Sequence, residues 1–218
     1  MSEINLLSKY PKTKRNLKEA SINRTDKERQ VARRFDREFF DGNRRHGYGG
    51  YIYNERFWTE VVKDFVDYFK LQNGSRILDV GCGKGFMVYD FKRLYPNFEV
   101  KGIDISEYAI KNGMNEIKNE ISVGSCESIP FEDNYFDLVI SINTIHNLEK
   151  DGCAKSLKEI CRVSKKHKFI IVDAYSNNLE KERMFAWNLT AKTIMHRDDW
   201  IDFFEKNNYD GDYYWFTP

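Results

Sequence analysis

The stretch that decides the fold is RILDVGCGKGF, residues 76–86, in which a short apolar run holding Asp79 leads into three alternating glycines. Gly81, Gly83 and Gly85 allow a tight turn and a close approach of the backbone to a ligand. In open α/β sheets, such a turn follows the first strand and lies at the edge of the sheet where ligands bind. We therefore predict a strand, a ligand-binding turn and a helix, in that order.

The residues of this turn separate it from phosphate-binding loops. The dinucleotide fingerprint GxGxxG would require glycine where this chain has Phe86, and no GxxxxGK[ST] surrounds Lys84. A phosphate beside Asp79 would also cost on the order of several kcal/mol in a partly dry site. Asp104, in GIDIS (residues 102–106), ends the next predicted strand and can accept hydrogen bonds from both hydroxyls of a ribose. The two acids therefore indicate a cationic nucleoside.

Beyond the turn, short apolar segments alternate with longer amphipathic ones. This alternation predicts a doubly wound, mostly parallel α/β sheet with a helical N-terminal extension. Further strands are predicted at EVKGIDI (99–105), ISVG (121–124), FDLVISIN (136–143) and KFIIVDAY (168–175), and DYYWF (212–216) is a candidate last strand. Helices are predicted at about 59–69, 85–95, from 106, and at about 151–163, 179–194 and 196–207.

The N-terminal residues 1–58 do not show the alternation of strands and helices that follows them. Residues 1–23 are polar and without periodicity, which predicts a mobile or loosely packed lead-in. A helix follows from the capping box of Thr25 and Glu28 to about Phe39, and the glycine- and aromatic-rich residues 44–58 form a structured loop. We divide the chain into an arm and lid, residues 1–58, and a cofactor-binding domain, residues 59–218.

Composition and charge narrow the class of protein. The chain has 35 Lys+Arg and 34 Asp+Glu, and its net charge of +1 argues against a nucleic-acid-binding domain. Residues 1–45 nevertheless carry 13 Lys+Arg and 7 Asp+Glu, a net +6. No segment has the roughly 18 consecutive apolar residues of a membrane span, and the N-terminus does not read as a secretory signal. We expect a cytoplasmic protein with free cysteines, no metal site and no membrane contact.

Four ordered motifs carry a family resemblance: LDVGCGKG (78–85), GIDIS (102–106), VGSCESIPF (123–131) and FDLVISINTIHNL (136–148). Together they closely resemble the class I, Rossmann-like methyltransferases that use S-adenosylmethionine. The resemblance runs from about Ile77 to Tyr175. It implies S-adenosylmethionine as the cofactor and S-adenosylhomocysteine as its product.

The resemblance also implies which residues bind the cofactor. Asp79 and the backbone of Gly81, Cys82 and Gly83 would hold the methionine part, and Asp104 the ribose. The family's usual Gly-Asp-Ala after the third strand is Gly-Ser-Cys here, so either Ser125 or Glu127 would replace the contact to the adenine amine. The complete set expected to bind the cofactor is Asp79, Gly81, Cys82, Gly83, Asp104, Ile105, Ser125, Cys126, Glu127 and Asn143.

The acceptor side of the site is predicted from the loop after the fourth strand. By the resemblance, Asn143 and His146 would face the methyl group, and His146 is the candidate general base or substrate ligand because it is the histidine at a strand's carboxyl end. The alternative is a histidine that caps the loop or packs beneath the cofactor. Aromatic residues of the flanking segments form the expected substrate wall, namely Tyr48, Tyr51 and Trp187.

These observations lead to one main hypothesis and several alternatives. The main hypothesis is S-adenosylmethionine-dependent methyl transfer by in-line displacement to a small polar metabolite, such as a sugar or nucleotide-sugar. SINT (141–144) lacks the Asn/Asp-Pro-Pro-Tyr sequence of methyltransferases that modify nucleobase amines. The alternatives are a catalytically idle cofactor-binding interaction protein and a methyltransferase for protein or RNA. A nicotinamide dehydrogenase is disfavoured by Phe86 and Asp79.

Overall fold

The computed structural model describes residues 1–11 and 24–217. Within them lies a seven-stranded sheet of order β3-β2-β1-β4-β5-β6, in which β7 also pairs with β5. All the strand pairings are parallel, which confirms the predicted doubly wound sheet. The strands are β1 (Arg76–Val80), β2 (Glu99–Asp104), β3 (Ile121–Val123), β4 (Phe136–Ile142), β5 (Ser164–Tyr175), β6 (Met195–His196) and β7 (Asp212–Phe216).

Helices cover both faces of the sheet, so the central strands are apolar on both sides. One hydrophobic cluster packs Phe65 and Phe91 against the first face, and a second packs Leu157 and Trp200 against the other. No helix of the described residues is long and apolar enough to cross a membrane. The α-helices are α1 (Asp26–Ala32), α2 (Arg37–Phe40), α3 (Glu55–Phe69), α4 (Phe86–Leu94), α5 (Glu107–Lys111), α6 (Lys150–Val163), α7 (Asn178–Trp187) and α8 (Arg197–Lys206).

The predicted helix from Thr25 to Phe39 is broken into α1 and α2. Phe35 adopts a left-handed backbone conformation, with φ of 49°. Its carbonyl accepts a hydrogen bond from the hydroxyl of Ser106, the residue that caps α5. Asp36 then caps α2 by accepting the N–H of Glu38 at 2.9 Å. A tertiary contact and a local cap together override the helical periodicity.

Another difference concerns the helix predicted over residues 179–194, because α7 ends at Trp187. The side chain of Asn188 accepts the N–H of Ala191 at 2.8 Å and donates to its carbonyl at 2.7 Å. This ring of hydrogen bonds offers the backbone an alternative to the helix. The segment from Asn188 to Thr193 is therefore a compact turn, and it lies beside the loop after β4.

The first residues of the chain close the edge of the sheet at β7. Glu3 forms a parallel bridge with Tyr213, and the Ile4 N–H donates to the Tyr213 carbonyl at 2.9 Å. Leu6 is 5% exposed and belongs to the same cluster as α3. The prediction of a loosely packed lead-in was wrong for this part, since apolar burial and strand pairing fix it. The rest of that prediction, residues 12–23, lies outside the described residues.

Candidate functional site

The glycine turn joins β1 to α4 at the carboxyl edge of the sheet. Gly81, Gly83 and Gly85 all have positive φ, at 88°, 56° and 76°. The N–H groups of Gly81 and Cys82 donate to the Ile103 carbonyl at 2.8 and 3.0 Å, which ties the turn to the end of β2. These conformations explain why three glycines occur in the turn.

Asp79 lies beneath this turn as a buried acid. Its side chain is 5% exposed, and no hydrogen bond or ion pair joins its carboxylate to another described residue. Burial, and then the nearby charge of Asp104, raise the pKa of Asp79 to about 8. A buried carboxylate without a partner is stabilised by a cationic ligand, so the turn fits the sulfonium and ammonium groups of S-adenosylmethionine.

Asp104 at the end of β2 is already fixed by backbone hydrogen bonds. Its Oδ2 accepts the N–H of Gly83 at 2.7 Å, and its Oδ1 accepts the N–H of Ser106 at 2.8 Å. Burial raises the pKa of this carboxyl, and the two N–H groups oppose the rise. A carboxylate has about four lone-pair sites, so acceptor capacity for two hydroxyls remains. Ile105, which follows it, is 59% exposed and offers an apolar surface.

Cys82 turns its side chain away from the ligand side of the turn. The thiol is buried, and a Cβ placed on Gly102 would come within 2.9 Å of the Cys82 sulfur, so the side chain packs against β2. Burial, then the charges of Asp79 and Asp104, raise its pKa well above the usual value. A ligand in the turn can therefore contact the backbone of Cys82 but not its thiol.

The turn after β3 holds Ser125, Cys126 and Glu127. The Ser125 hydroxyl accepts the N–H of Glu127 at 3.1 Å, and Ser156 donates to the Cys126 sulfur at 3.3 Å. Burial raises the pKa of Cys126, so its thiol is neutral. The half-buried Glu127 lies against the first turn of α6, because a Cβ on Gly152 would come within 3.2 Å of Glu127 Oε1. Both candidates for the adenine contact therefore border the same edge of the sheet.

The loop after β4 contains Asn143 and His146. Asn143 is exposed, has φ of 52°, and donates its N–H to the Ile171 carbonyl at 2.9 Å. His146 is buried, and its Nδ1 accepts the N–H of Asp173 at 2.8 Å. Burial lowers the pKa of His146, and the Asp173 carboxylate only partly offsets this effect. The neutral ring therefore carries its proton on Nε2, where it can donate a hydrogen bond.

The N-terminal segment lies directly on the glycine turn. A Cβ on Gly83 would come within 3.3 Å of the Tyr51 ring, and this ring stacks on Phe86 at 4.6 Å between centroids. Tyr48 packs against Tyr51 at 4.3 Å. Burial, followed by nearby tyrosines and Asp79, raises the pKa of Tyr51 well above its usual value. Tyr48 and Tyr51 are thus brought together at the cofactor side of the site.

An ion pair that the sequence analysis missed holds this segment in place. Lys84, within the glycine turn, donates to Asp41 at 2.6 Å and to the Tyr51 carbonyl at 2.8 Å. Tyr108 also donates to Asp41, at 2.7 Å. Burial works to raise the pKa of Asp41, but the hydrogen bonds from Lys84, Tyr51 and Tyr108 hold it below its usual value. The sequence signal for this ion pair was Lys84 itself, a lysine inside a glycine turn that lacks a phosphate-loop pattern.

A polar cleft of about 450 Å³ lies beside the loop after β4, and the sequence analysis missed it. The turn after α7 connects this cleft to the loop after β4, because the N–H groups of Lys192 and Thr193 donate to the His146 carbonyl at 3.0 Å each. Trp187, the predicted wall residue, lies 5.6 Å from the Arg24 guanidinium. The cleft is lined by Asp26, Arg29, Arg33, Glu149, Phe185, Asn188, Ala191 and Lys192.

Comparisons with known proteins agree on one chemistry. A family model described as a methyltransferase domain matches residues 71–210, and the model of protein-L-isoaspartate(D-aspartate) O-methyltransferase matches residues 8–124. A demethylmenaquinone methyltransferase from Symbiobacterium thermophilum is 29% identical over 153 residues, which cover 66% of this chain and 60% of that protein. A tRNA (carboxymethyluridine(34)-5-O)-methyltransferase from Arabidopsis thaliana is 29% identical over 66% of this chain and 34% of that protein. The matches therefore span less than two thirds of the length of these relatives.

A solved structure supports the same fold. The YcgJ protein of Bacillus subtilis superposes with a TM-score of 0.54 at 18% identity, covering 67% of this chain and 66% of that chain. At this identity the likeness concerns the arrangement of strands and helices.

Proposed function

The chain belongs to the class I S-adenosylmethionine-dependent methyltransferases, and from that membership we propose that it methylates a small polar metabolite. The observation that carries this proposal is the polar cleft of about 450 Å³ beside the loop after β4. Its volume is in the range of small-molecule sites. The acceptors named for relatives extend from a quinone to a tRNA nucleoside, so they do not select an acceptor. A sugar or nucleotide-sugar is one class that the proposal includes.

S-adenosylmethionine supplies an electrophilic methyl group on a cationic sulfur. Asp79 would oppose the positive charge of the cofactor, and the backbone of Gly81, Cys82 and Gly83 would hold its methionine part. Asp104 would accept hydrogen bonds from the ribose hydroxyls, and the exposed Ile105 side chain would offer the adenine an apolar surface. The uncompensated burial of Asp79 supports these roles, because a cation restores the balance of charge there.

The remaining cofactor contacts belong to the turn after β3. We assign the adenine amine to Ser125 or Glu127, with Cys126 packing beside them. The Ser125 oxygen already accepts the Glu127 N–H. Glu127 makes only a 4.0 Å approach to Lys155 and retains acceptor capacity. This difference favours the Glu127 carboxylate as the acceptor of the amine hydrogen bond.

Asn143 and His146 are proposed to align the acceptor with the methyl group. Methyl transfer depends mainly on this alignment, because the displacement is in line. His146 Nδ1 is occupied by the Asp173 N–H, so a role as hydrogen-bond donor through Nε2 agrees better with the ring geometry than a role as general base. His146 would then orient the acceptor, and the acceptor's proton would leave by another route.

Tyr48, Tyr51 and Trp187 are proposed to line the acceptor, and the segment that carries Tyr48 and Tyr51 is also proposed as a cover for the site. The contacts of Tyr51 with the glycine turn, and the ion pair of Lys84 with Asp41, support a cover that closes on the cofactor side. Limited proteolysis of residues 40–55 measures this closure. Cofactor should slow cleavage of the wild type, and the Asp41→Asn variant should be cleaved faster. Equal cleavage with and without cofactor would refute the cover.

The acceptor class is tested by following a labelled methyl group. Protein that binds S-adenosylhomocysteine, but not NAD, in a calorimetric titration is incubated with methyl-labelled S-adenosylmethionine. Separate incubations contain a small-metabolite extract, total RNA or total protein from the same cells. We expect label in the metabolite fraction, and none with the Asp79→Asn variant. Label confined to RNA or protein would contradict the proposed acceptor class.

A protein acceptor is the second candidate, because the protein-L-isoaspartate(D-aspartate) O-methyltransferase model matches residues 8–124. Label in the protein fraction that is lost on mild alkaline treatment, which hydrolyses methyl esters, would support this candidate. Binding of S-adenosylhomocysteine without label in any fraction would instead support the idle interaction protein.

A further inference from the structure

The cleft beside the loop after β4 is lined by five charged side chains. Three are cations, Arg29, Arg33 and Lys192, and two are acids, Asp26 and Glu149. The net charge of the lining is therefore +1. Both arginines come from the basic residues 1–45, whereas the rest of the chain is acidic overall. The cleft thus combines cations from α1 with one from the turn after α7.

The two arginines are held by backbone carbonyls. Arg33 donates from Nε to the Thr190 carbonyl at 3.2 Å and from Nη2 to the Ala191 carbonyl at 3.1 Å. Arg29 donates to the Asn188 carbonyl at 3.3 Å and to the Phe185 carbonyl at 3.4 Å. These bonds fix the positions of both guanidinium groups. Carbonyl groups are dipoles, however, and do not neutralise the positive charges.

The acids near the cleft neutralise these cations weakly. Among the described residues, no carboxylate pairs with Arg33, and its Nη1 makes no hydrogen bond. Arg29 approaches Asp26 at 3.3 Å, but the Asp26 side chain is 93% exposed. Lys192 lies 3.7 Å from Glu149, which is 75% exposed. Three cations against two exposed acids leave the lining at +1, so the cleft keeps a positive potential.

We propose that this cleft binds an oxyanion, a carboxylate or a phosphate, on the methyl acceptor, with Arg33 as its main ligand and Arg29 and Lys192 beside it. The inference rests on the proposed function and narrows it to acidic metabolites. A guanidinium fixed along one edge presents its remaining N–H donors to an oxyanion with little loss of side-chain entropy. Two hydrogen bonds connect the cleft to His146, so the anion would anchor the acceptor beside the methyl group.

The test uses inorganic phosphate and acetate as probes, because the acceptor is unidentified. Protein saturated with S-adenosylhomocysteine is titrated with each anion at constant ionic strength, with chloride as the balancing ion. The variants are Arg33→Gln and, as a matched control, Arg34→Gln, whose side chain is exposed and makes no hydrogen bond or ion pair with described residues. We expect one anion to bind the wild type and the control alike, and to bind Arg33→Gln about 10- to 100-fold more weakly.

Several outcomes would overturn the proposal. They are the absence of saturable binding by either anion and equal weakening in the two arginine variants. Loss of S-adenosylhomocysteine binding in Arg33→Gln would show that the substitution disturbs α1. In that case anion binding by the Lys192→Gln variant tests the proposal. Weaker anion binding by Lys192→Gln supports the cleft, and unchanged binding refutes it. A further test uses an oligonucleotide as the probe. If it binds more tightly than phosphate, and if Arg33→Gln and Arg34→Gln weaken its binding equally, the positive surface binds RNA and the proposed metabolite site is refuted.

The titration is independent of the acceptor screen. It requires neither turnover nor a known acceptor, so an anion site can fail while labelled metabolites are found. Conversely, phosphate can bind in an enzyme whose label appears only in protein or RNA. The preferred probe also indicates the source, because phosphate without acetate points to a phosphorylated metabolite and acetate to a carboxylic acid.

Discussion

Two ionisable residues of the proposed site, Asp79 and His146, are buried. Both lie at the carboxyl edge of the sheet, and burial shifts the pKa of each toward its neutral form. Asp79 lacks a cationic partner among the described residues, whereas His146 is fixed by one backbone N–H. The burial of Asp79 should therefore lower the stability of the protein. The hydrogen bond that His146 Nδ1 accepts should leave Nε2 as its hydrogen-bond donor.

Replacing Asp79 with Asn should stabilise the cofactor-free protein at alkaline pH. With its pKa raised to about 8, the folded protein holds a proton that the unfolded chain releases near pH 4. Stability therefore falls as the pH rises from about 4 to 8, by at most about 5 kcal/mol. Denaturant unfolding of D79N should show a larger gain at pH 8 than at pH 5, while cofactor affinity falls.

The exposed Asp26 provides the control, because D26N should change stability little at either pH. A D79N variant that is equally stabilised at both pH values, or destabilised at pH 8, would contradict the proposed charge state of Asp79.

Two substitutions at His146 should separate its structural and functional roles. H146A leaves the buried Asp173 N–H without an acceptor and should cost about 1–3 kcal/mol of stability. H146N offers its side-chain oxygen to that N–H and should recover much of the loss. If Nε2 orients the acceptor, both variants should lose methyl transfer, measured as release of S-adenosylhomocysteine. An H146N variant with wild-type turnover would restrict His146 to a structural role.

The pH profile of the wild type tests the charge state of the His146 ring. Because burial lowers the pKa of His146, the ring is neutral above its usual pKa of about 6.5. We expect no histidine-like rise in kcat/KM between pH 6.5 and 8. A rise through that range that H146N removes would contradict the lowered pKa of His146.

At the scale of elements, the turn between β1 and α4 depends on glycine for two separate reasons. Gly81 needs a positive φ, and it also needs space, because a Cβ there would come within 2.0 Å of the Thr144 hydroxyl. Gly74, before β1, has nearly the same φ of 85°, and a Cβ there would meet nothing within 4 Å. The pair therefore distinguishes backbone strain from steric contact.

G81A should destabilise the protein more than G74A does. The conformational cost alone is about 1–2 kcal/mol, which is the expectation for G74A. The contact of the new methyl group with Thr144 should add about 1–3 kcal/mol in G81A, because the loop after β4 must move. Denaturant unfolding measures both values. Equal losses of unfolding free energy in the two variants would mean that the loop after β4 moves away from the new methyl group at no cost.

At the scale of the whole molecule, the two ends of the chain stabilise one another. Residues 2–4 pair with β7, Trp215 donates to Glu3 at 3.1 Å, and Leu6 packs in the core cluster that includes Phe65 of α3. The N-terminal segment thus covers a strand edge that would otherwise expose unpaired backbone groups. The first ten residues belong to the folded body in this respect.

Truncation of Leu6 tests this coupling. L6A should lower the free energy of unfolding by about 2–4 kcal/mol, as expected for a buried leucine. Met1 is 46% exposed, so M1A should change stability by less than about 0.5 kcal/mol. Urea unfolding of the two variants gives the comparison. An L6A variant as stable as M1A would show that the segment is not part of the cooperative core.

The sequence by itself determined the parallel sheet, the family and the glycine turn with Asp79. The sheet and the turn follow from local patterns, in which apolar runs make strands and chain order places their carboxyl ends at one edge, and the family follows from the resemblance of four motifs. The roles of all the site residues, from Tyr48 to Trp187, stay predictions. Only the tertiary structure decided where α1 ends, that Lys84 pairs with Asp41, and that Arg33 lies against residues 190–191. Those contacts join segments that are 43 and more than 150 residues apart, and the distances between such segments depend on how the helices pack on the sheet.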